Sequence, residues 1–136
     1  MKKMIFVLIG IVGIMISCAT TPPAPSMETL KANLKNQSPP MDCKEQIDNY
    51  FQTQLFNPVG IIVEYENPQM AWANFAIKDP GWMHGYRQVY GFMVCGYFNA
   101  QNRFGGYMGR QRYYSFFYNG KLIYLDWGTP AWQICK

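Results

Sequence analysis

Few side chains in this 136-residue chain could do chemistry. His84, in Trp82-Met83-His84-Gly85, is the single histidine, and the four cysteines are Cys18, Cys43, Cys95 and Cys135. No Cys-x-x-Cys pair occurs, so neither a structural zinc site nor a thioredoxin-like centre is spelled out. No metal and no cofactor is expected. Glu64 and Glu66 stand two residues apart, the spacing of one strand face. No partner acid or base accompanies them, and they read as the wet side of a sheet. A nucleophile beside His84, from Cys95 or Ser115, is the one catalytic pairing the residue types permit. A lone loop histidine does not carry it, and the chain reads as a non-enzyme with no catalytic residues.

Binding chemistry is better represented. The segment Asn99-Ala100-Gln101-Asn102-Arg103-Phe104-Gly105-Gly106-Tyr107-Met108-Gly109-Arg110 mixes aromatics, arginines and turn formers. Asn99 and Asn102 can close Asx turns, and the glycines allow a tight path. Arg103, Phe104, Tyr107 and Arg110 are residue types that interface hot spots favour. The Lys-Ser/Thr ending of a phosphate loop is absent. Arg103, Arg110 and Arg112 are expected on a solvated strand edge, the alternative being an anion patch for lipid headgroups or a cell-wall glycan. Preceded by Val94-Cys95, the segment is similar to the signature of a family of small exported bacterial proteins. That signature is an Asn-Ala-Lys-Asn…Gly-Gly-Tyr-x-Gly run after a strand. Gln101 stands here for its Lys and Met108 for a usual Thr. The resemblance implies export and a helix-plus-strands layout, with no established activity.

The N-terminus carries an address. Lys2 and Lys3 precede an apolar run from Met4 to Ile16. Thirteen residues are too few for a membrane-spanning helix, which takes about 20, but suit the apolar core of a cleaved signal peptide. The following Met15-Ile16-Ser17-Cys18 resembles the lipobox of bacterial lipoproteins. The resemblance implies cleavage after Ser17 and acylation of Cys18, which anchors the chain in a membrane. Two or more acyl chains anchor stably where one does not. Ala19, not Asp, follows the cysteine, which implies an outer-membrane lipoprotein. Residues 1–17 are then a signal peptide. Residues 18–42 are a lipidated cysteine and flexible tether, and 43–136 a small folded domain. Loss of Lys2 and Lys3 lowers the formal charge from +4 to +2, so nucleic acid is not an expected partner.

The elements follow from periodicity. In the tether, Thr20-Thr21-Pro22-Pro23-Ala24-Pro25 reads as extended and solvated. Ser26 could cap a brief helix with Met27, Leu30 and Leu34 on one side, yet the segment is expected to stay mostly mobile. Asp42 and Glu45 form a capping-box pattern. They open a helix whose stripe of Cys43, Ile47, Phe51 and Leu55 points inward, and Asn57-Pro58 ends it. Strand patterns cover 59–66, 70–77, 88–98, 111–118 and 121–127. In the third, Tyr90, Phe92, Val94 and Phe98 share one face, and Val89, Met93, Cys95 and Tyr97 the other. Asn119-Gly120 is a two-residue hairpin signal. The expected fold is α+β, one N-terminal helix packed on an antiparallel sheet of about five strands. Aromatics on the uncovered sheet face would make a second candidate surface.

Export permits disulfides. Three cysteines remain after Cys18, and each of the three pairings is conceivable. Cys43–Cys135, which brackets the domain, is the expected one, with Cys95 a buried thiol. It would contribute about 4–5 kcal/mol through loop closure. The expectation for function is an envelope lipoprotein, anchored through Cys18, whose domain binds an envelope protein or cell-wall partner without catalysis. The alternative is an inhibitor of an envelope-directed enzyme such as a lysozyme.

Overall fold

The computed structural model describes residues 21–77 and 85–135. The signal segment, Cys18 and His84 lie outside the described residues. In chain order the elements are α1 (Met27–Leu34), α2 (Cys43–Gln54), β1 (Ile62–Tyr65), β2 (Gln69–Ile77), β3 (Gly85–Asn99), β4 (Gln111–Tyr118), β5 (Lys121–Trp127) and α3 (Thr129–Ile134).

The strands form one antiparallel sheet ordered β1-β3-β4-β5, with β2 also paired to β3. β1 takes Gly96–Asn99 of β3, and β2 takes Gly85–Met93. The two therefore run one behind the other along the same edge of β3. Glu66 N–H still bonds Cys95 O at 2.8 Å, but Pro68 has no N–H to offer and the ladder breaks there. β4 and β5 turn through Asn119 and Gly120, whose φ values of 49° and 75° are both positive, as a type I′ turn requires. The architecture is α+β, as the strand alternation implies.

Side-chain alternation on β3 and β4 divides the sheet into two faces. The inner face carries Phe92, Val94, Phe98, Tyr113, Phe117 and Leu125, which pack with Leu30 and Leu34 of α1 and Ile47 and Phe51 of α2. Phe51 is the hub: its ring centroid lies 4.6 Å from that of Phe98 and 5.4 Å, edge-on, from that of Tyr113. Burying each such ring contributes about 2–3 kcal/mol. Gly96 lets Tyr113 take its place. The Tyr113 ring crosses the bare glycine and its hydroxyl donates to Glu64 O at 3.0 Å. A Cβ on Gly96 would collide with that ring and with the Glu64 carbonyl.

Three expectations change. The tether is shorter than residues 18–42. Ser26 caps α1 through a Thr29 N–H bond of 3.1 Å, and Leu30 and Leu34 are each only 4% exposed. Two leucines one turn apart suffice because they close the inner face beside Phe92 and Trp72. Asp42 precedes α2 but does not cap it with its side chain; its carboxylate instead accepts from Gln46 Nε2 at 2.9 Å. The Cys43–Cys135 disulfide is not formed. Cys95 bonds Cys135, with Cα atoms 6.0 Å apart, and Cys43 is a buried free thiol. Cys43 lies on the inner face and Cys95 on the outer, so the sheet stands between them. α3, which the sequence reading did not include, folds onto the outer face and brings Cys135 to Cys95. Cys95 is thereby spent, which removes the His84–Cys95 nucleophile reading.

Candidate functional site

The residues of 99–110 form a loop that is built around its asparagines. Asn102 Oδ1 accepts from the N–H groups of Phe104 and Gly106 at 2.9 and 3.0 Å, and Asn102 N–H donates to Gly106 O at 2.8 Å. Asn99 Oδ1 accepts from Gly109 N–H at 3.1 Å. Both amides serve loop geometry, the Asx role that short polar side chains fill. Tyr107 is a strut: its hydroxyl donates to Gly60 O at 3.0 Å, tying the loop to the turn before β1. The Asn57 amide adds a second tie, to Asn102 O at 3.4 Å.

What the loop presents is Arg103, Phe104 and Met108. Arg103 stacks on Phe104, its guanidinium carbon 4.7 Å from the ring centroid. Phe104 is 80% exposed and Met108 62%. Opposite them, at the end of α2, Phe56 is 87% exposed. Between the two lies a cleft of about 590 Å³ floored by Phe98, Ala100 and Trp127. The side chains of Gln54, Asn57 and Gln111 line it as well, so its polar groups are amides and one arginine. Such a lining can bury an apolar or aromatic group and hydrogen-bond its edges. Among the described residues, none that lines it is a carboxylate, imidazole or thiol able to move a proton.

Arg110 stands apart from this cleft, on the outer face. β1 and β4 flank β3, about 10 Å apart, so an arginine on β4 reaches a carboxylate on β1 only by crossing β3. The residue it crosses is Tyr97. Arg110 lies over the Tyr97 ring at 3.7 Å and pairs with Glu64. Arg112 lies over the same ring at 4.5 Å, grips Glu66 with both terminal nitrogens, and donates to Cys135 O at 3.3 Å. Trp132 of α3 meets Tyr97 edge-on at 5.9 Å. Arg112 is 5% exposed, not on a solvated edge as expected, because α3 and the disulfide close over it. Its hydrogen bonds to Glu66 hold its proton even more firmly than usual, against the opposing effect of burial. Glu64 and Glu66 do lie on the outer face, as their spacing implies, but as ion-pair partners. The matched i, i+2 spacings of Glu64/Glu66 and Arg110/Arg112 were a readable signal for this double pair.

Further along the outer face, Phe75, Met93, Phe116, Tyr124 and Ile134 border a groove of about 490 Å³. Phe116 forms its buried base, while Tyr124 and Ile134 are each 43% exposed. This is the uncovered aromatic face that the sequence implied. Three phenols are pushed above their ordinary value of 10.0 by burial first: Tyr113 in the core, Tyr65, whose hydroxyl also donates to Asp48, and Tyr114 on the outer face beside Tyr124. None lines the cleft.

Among the described residues, no group of three His, Cys, Asp or Glu side chains could hold a metal ion, and no helix is long and apolar enough to cross a membrane. No family model, curated protein or solved structure matches the chain.

Proposed function

We propose that this chain is a lipid-anchored protein of the bacterial envelope, held through Cys18, whose α+β domain binds an envelope partner without catalysis. The partner is an envelope protein or a cell-wall component that seats an apolar group in the cleft between the end of α2 and the 99–110 loop. One observation carries the reading: two large apolar side chains, Phe56 and Met108, are left more than 60% exposed on the rim of one cleft with an aromatic floor. Exposed apolar groups gathered at one site mark binding surfaces. The lining of amides and one arginine supports recognition over proton transfer. The lipobox-like Met15-Ile16-Ser17-Cys18 supports the anchor.

The test is a photo-crosslinker placed at Met108 in the full-length protein in intact cells, with Cys18→Ala as control. A discrete adduct that disappears in Phe56→Ser/Arg103→Ser supports the cleft. An adduct of unchanged yield in that double variant, still folded by its melting temperature, overturns it.

A second reading is favoured by the shape of the loop itself. Asn102 stiffens a projecting tip that carries Arg103 and Phe104, and a stiff projecting tip suits insertion into an enzyme cleft, since preorganisation lowers the cost of binding. On this reading the protein inhibits an envelope-directed enzyme such as a lysozyme. Purified mature protein added to cell-wall lysis assays with several lysozymes would slow lysis, and Phe104→Ser would abolish the effect. Undiminished lysis throughout rejects it.

A further inference from the structure

An open sheet leaves edges, and an edge strand offers its unpaired N–H and C=O groups to any strand that can reach them. This sheet has β5 at one edge and β1 and β2, in line, at the other. Two of the three are guarded. β5 carries Lys121 and Asp126, and α2 covers its backbone. Gln46 Oε1 accepts from Leu122 N–H at 2.7 Å, Gln46 Nε2 donates to Gly120 O at 2.8 Å, and the Tyr50 hydroxyl donates to Leu125 O at 3.3 Å. β1 is four residues long, carries Glu64 and is followed by Pro68. Charge, shortness, proline and a covering helix are the usual means of blunting an edge.

β2 has none of them. Its nine residues, Gln69–Ile77, include no charge, no proline and no glycine, and its register with β3 is unbroken from end to end. Among the described residues, no backbone hydrogen bond reaches β2 except those to β3. The proline segment beside it bonds side chains only: Pro22 O accepts from Asn74 Nδ2 at 3.3 Å and Pro23 O from Gln88 Nε2 at 3.0 Å. In an antiparallel ladder every second residue turns its N–H and C=O toward a given neighbour. Alternate residues of β2 therefore aim these groups outward.

The side chains of β2 decide what fits. The register that pairs β2 with a second β2 over all nine residues sets Ala73 opposite Ala73. Trp72, which packs toward the core, then faces Asn74 of the second copy. Phe75, whose ring lies 6.1 Å from that of Phe116 on the outer face, faces Ala71 of the second copy. On each face a large ring meets a short side chain, and no charge meets a like charge. The interface is self-complementary, as a two-fold contact must be. Its axis stands normal to the sheet, so both inner faces and both Pro22 segments lie on the same side. Two chains tethered through Cys18 can thus pair within one bilayer, where shared tethering raises their effective concentration.

We propose that the β2 edge is a homodimer interface: two copies of this chain pair antiparallel through Gln69–Ile77 and join their sheets into one. The pairing rests on the edge itself and holds whether or not Cys18 is acylated.

The test is disulfide crosslinking of the full-length protein in intact cells, with the joined peptides identified by mass spectrometry. Cys43 is buried and Cys95 and Cys135 are bonded to each other, so an introduced edge thiol is read against a quiet background. Opposite residues of an antiparallel pair have Cα atoms about 4.5 or 5.5 Å apart, inside the range of about 4.4–6.8 Å that a disulfide spans. Ala73→Cys should therefore give a species of twice the chain mass joined 73 to 73. Its yield should exceed several-fold that of Gln69→Cys, whose two copies would lie about 27 Å apart. The Ala71→Cys/Phe75→Cys variant should crosslink 71 to 75, and neither substitution alone should crosslink to itself. Adding Ala73→Lys, which sets like charges face to face, should abolish the 71–75 crosslink while the purified protein keeps its sheet signal in circular dichroism. Equal yields from 69 and 73 would mean random collision and overturn the pairing. Absence of both the 73–73 and the 71–75 crosslinks in folded protein overturns the dimer. A crosslink from 73 to a different protein overturns the second copy as the occupant of this edge.

Discussion

Arg112 is held from three sides, by the Glu66 carboxylate, the Cys135 carbonyl and the face of Tyr97. Removing it leaves a half-exposed carboxylate and a buried carbonyl without a donor. Arg112→Ala should therefore cost about 2–3 kcal/mol, read as a lower urea midpoint. Arg112→Lys should recover only part of that, because an ammonium cannot span both oxygens while stacking on a ring. Tyr113 shares the alkaline pH dependence with two other tyrosines. Burial raises its phenol and those of Tyr65 and Tyr114 above 10.0, so the folded chain keeps protons that the unfolded chain releases. Stability is fully present below about pH 10 and falls as pH rises beyond it. Tyr113→Phe should lower stability by about 1 kcal/mol at neutral pH, through the lost bond to Glu64 O, and flatten the alkaline decline. Denaturant titrations from pH 7 to 11 check both effects. At this scale the asparagines of the loop were legible as turn formers. The Tyr97 stack was not, because it depends on which strand lies between β1 and β4.

At the scale of elements, α3 is held by one covalent bond and α1 by two leucines. Cys95–Cys135 closes a loop of sequence separation 40, worth about 4 kcal/mol by loop-closure entropy. Reduction, or Cys135→Ser, should lower stability by that amount and release α3 from the Arg112–Tyr97 stack. Thiol titration of the domain should find Cys43 unreactive in buffer and reactive in denaturant. Leu30→Ala and Leu34→Ala should each cost about 2–4 kcal/mol as cavity-forming changes, whereas Met27→Ser, at an exposed position, should stay within about 0.5 kcal/mol. Thermal melts distinguish these cases. α2 was legible because its apolar stripe repeats every four residues. Of α1 only the Ser26 cap and the Met27, Leu30, Leu34 spacing were legible, since its docking depends on an apolar gap beside Phe92 and Trp72 that only the assembled sheet creates.

The whole molecule has two unlike ends joined by the fifteen residues of β3. One end holds the proline segment at Asn74 and Gln88; the other holds the cleft and the Asn102-centred loop. One N-terminal stretch serves both contacts, because the segment bonded at Asn74 and Gln88 leads directly into the Leu30 and Leu34 that close the core. A chain beginning at residue 35 should therefore lose about 4 kcal/mol or more and bind a hydrophobic dye through its uncovered inner face. Retention of the full melting temperature by that truncation would show that α1 adds nothing to the fold.

The sequence alone determined the features that depend on neighbours along the chain. These are the strand alternation that separates Phe92, Val94 and Phe98 from Met93, Cys95 and Tyr97, the Asn119-Gly120 turn, and the α2 stripe. Each is a local periodicity or a backbone preference, and both survive any arrangement of the rest. The tertiary structure decided what depends on which surfaces meet. It paired Cys95 with Cys135 by placing α3 on the outer face, and joined Arg110 and Arg112 to Glu64 and Glu66 across Tyr97. It also brought Phe56 to Met108 and laid Pro22 and Pro23 on Asn74 and Gln88. In every one of these the partners lie more than 20 residues apart, and only the shared edge and the two faces of β3 bring them within reach.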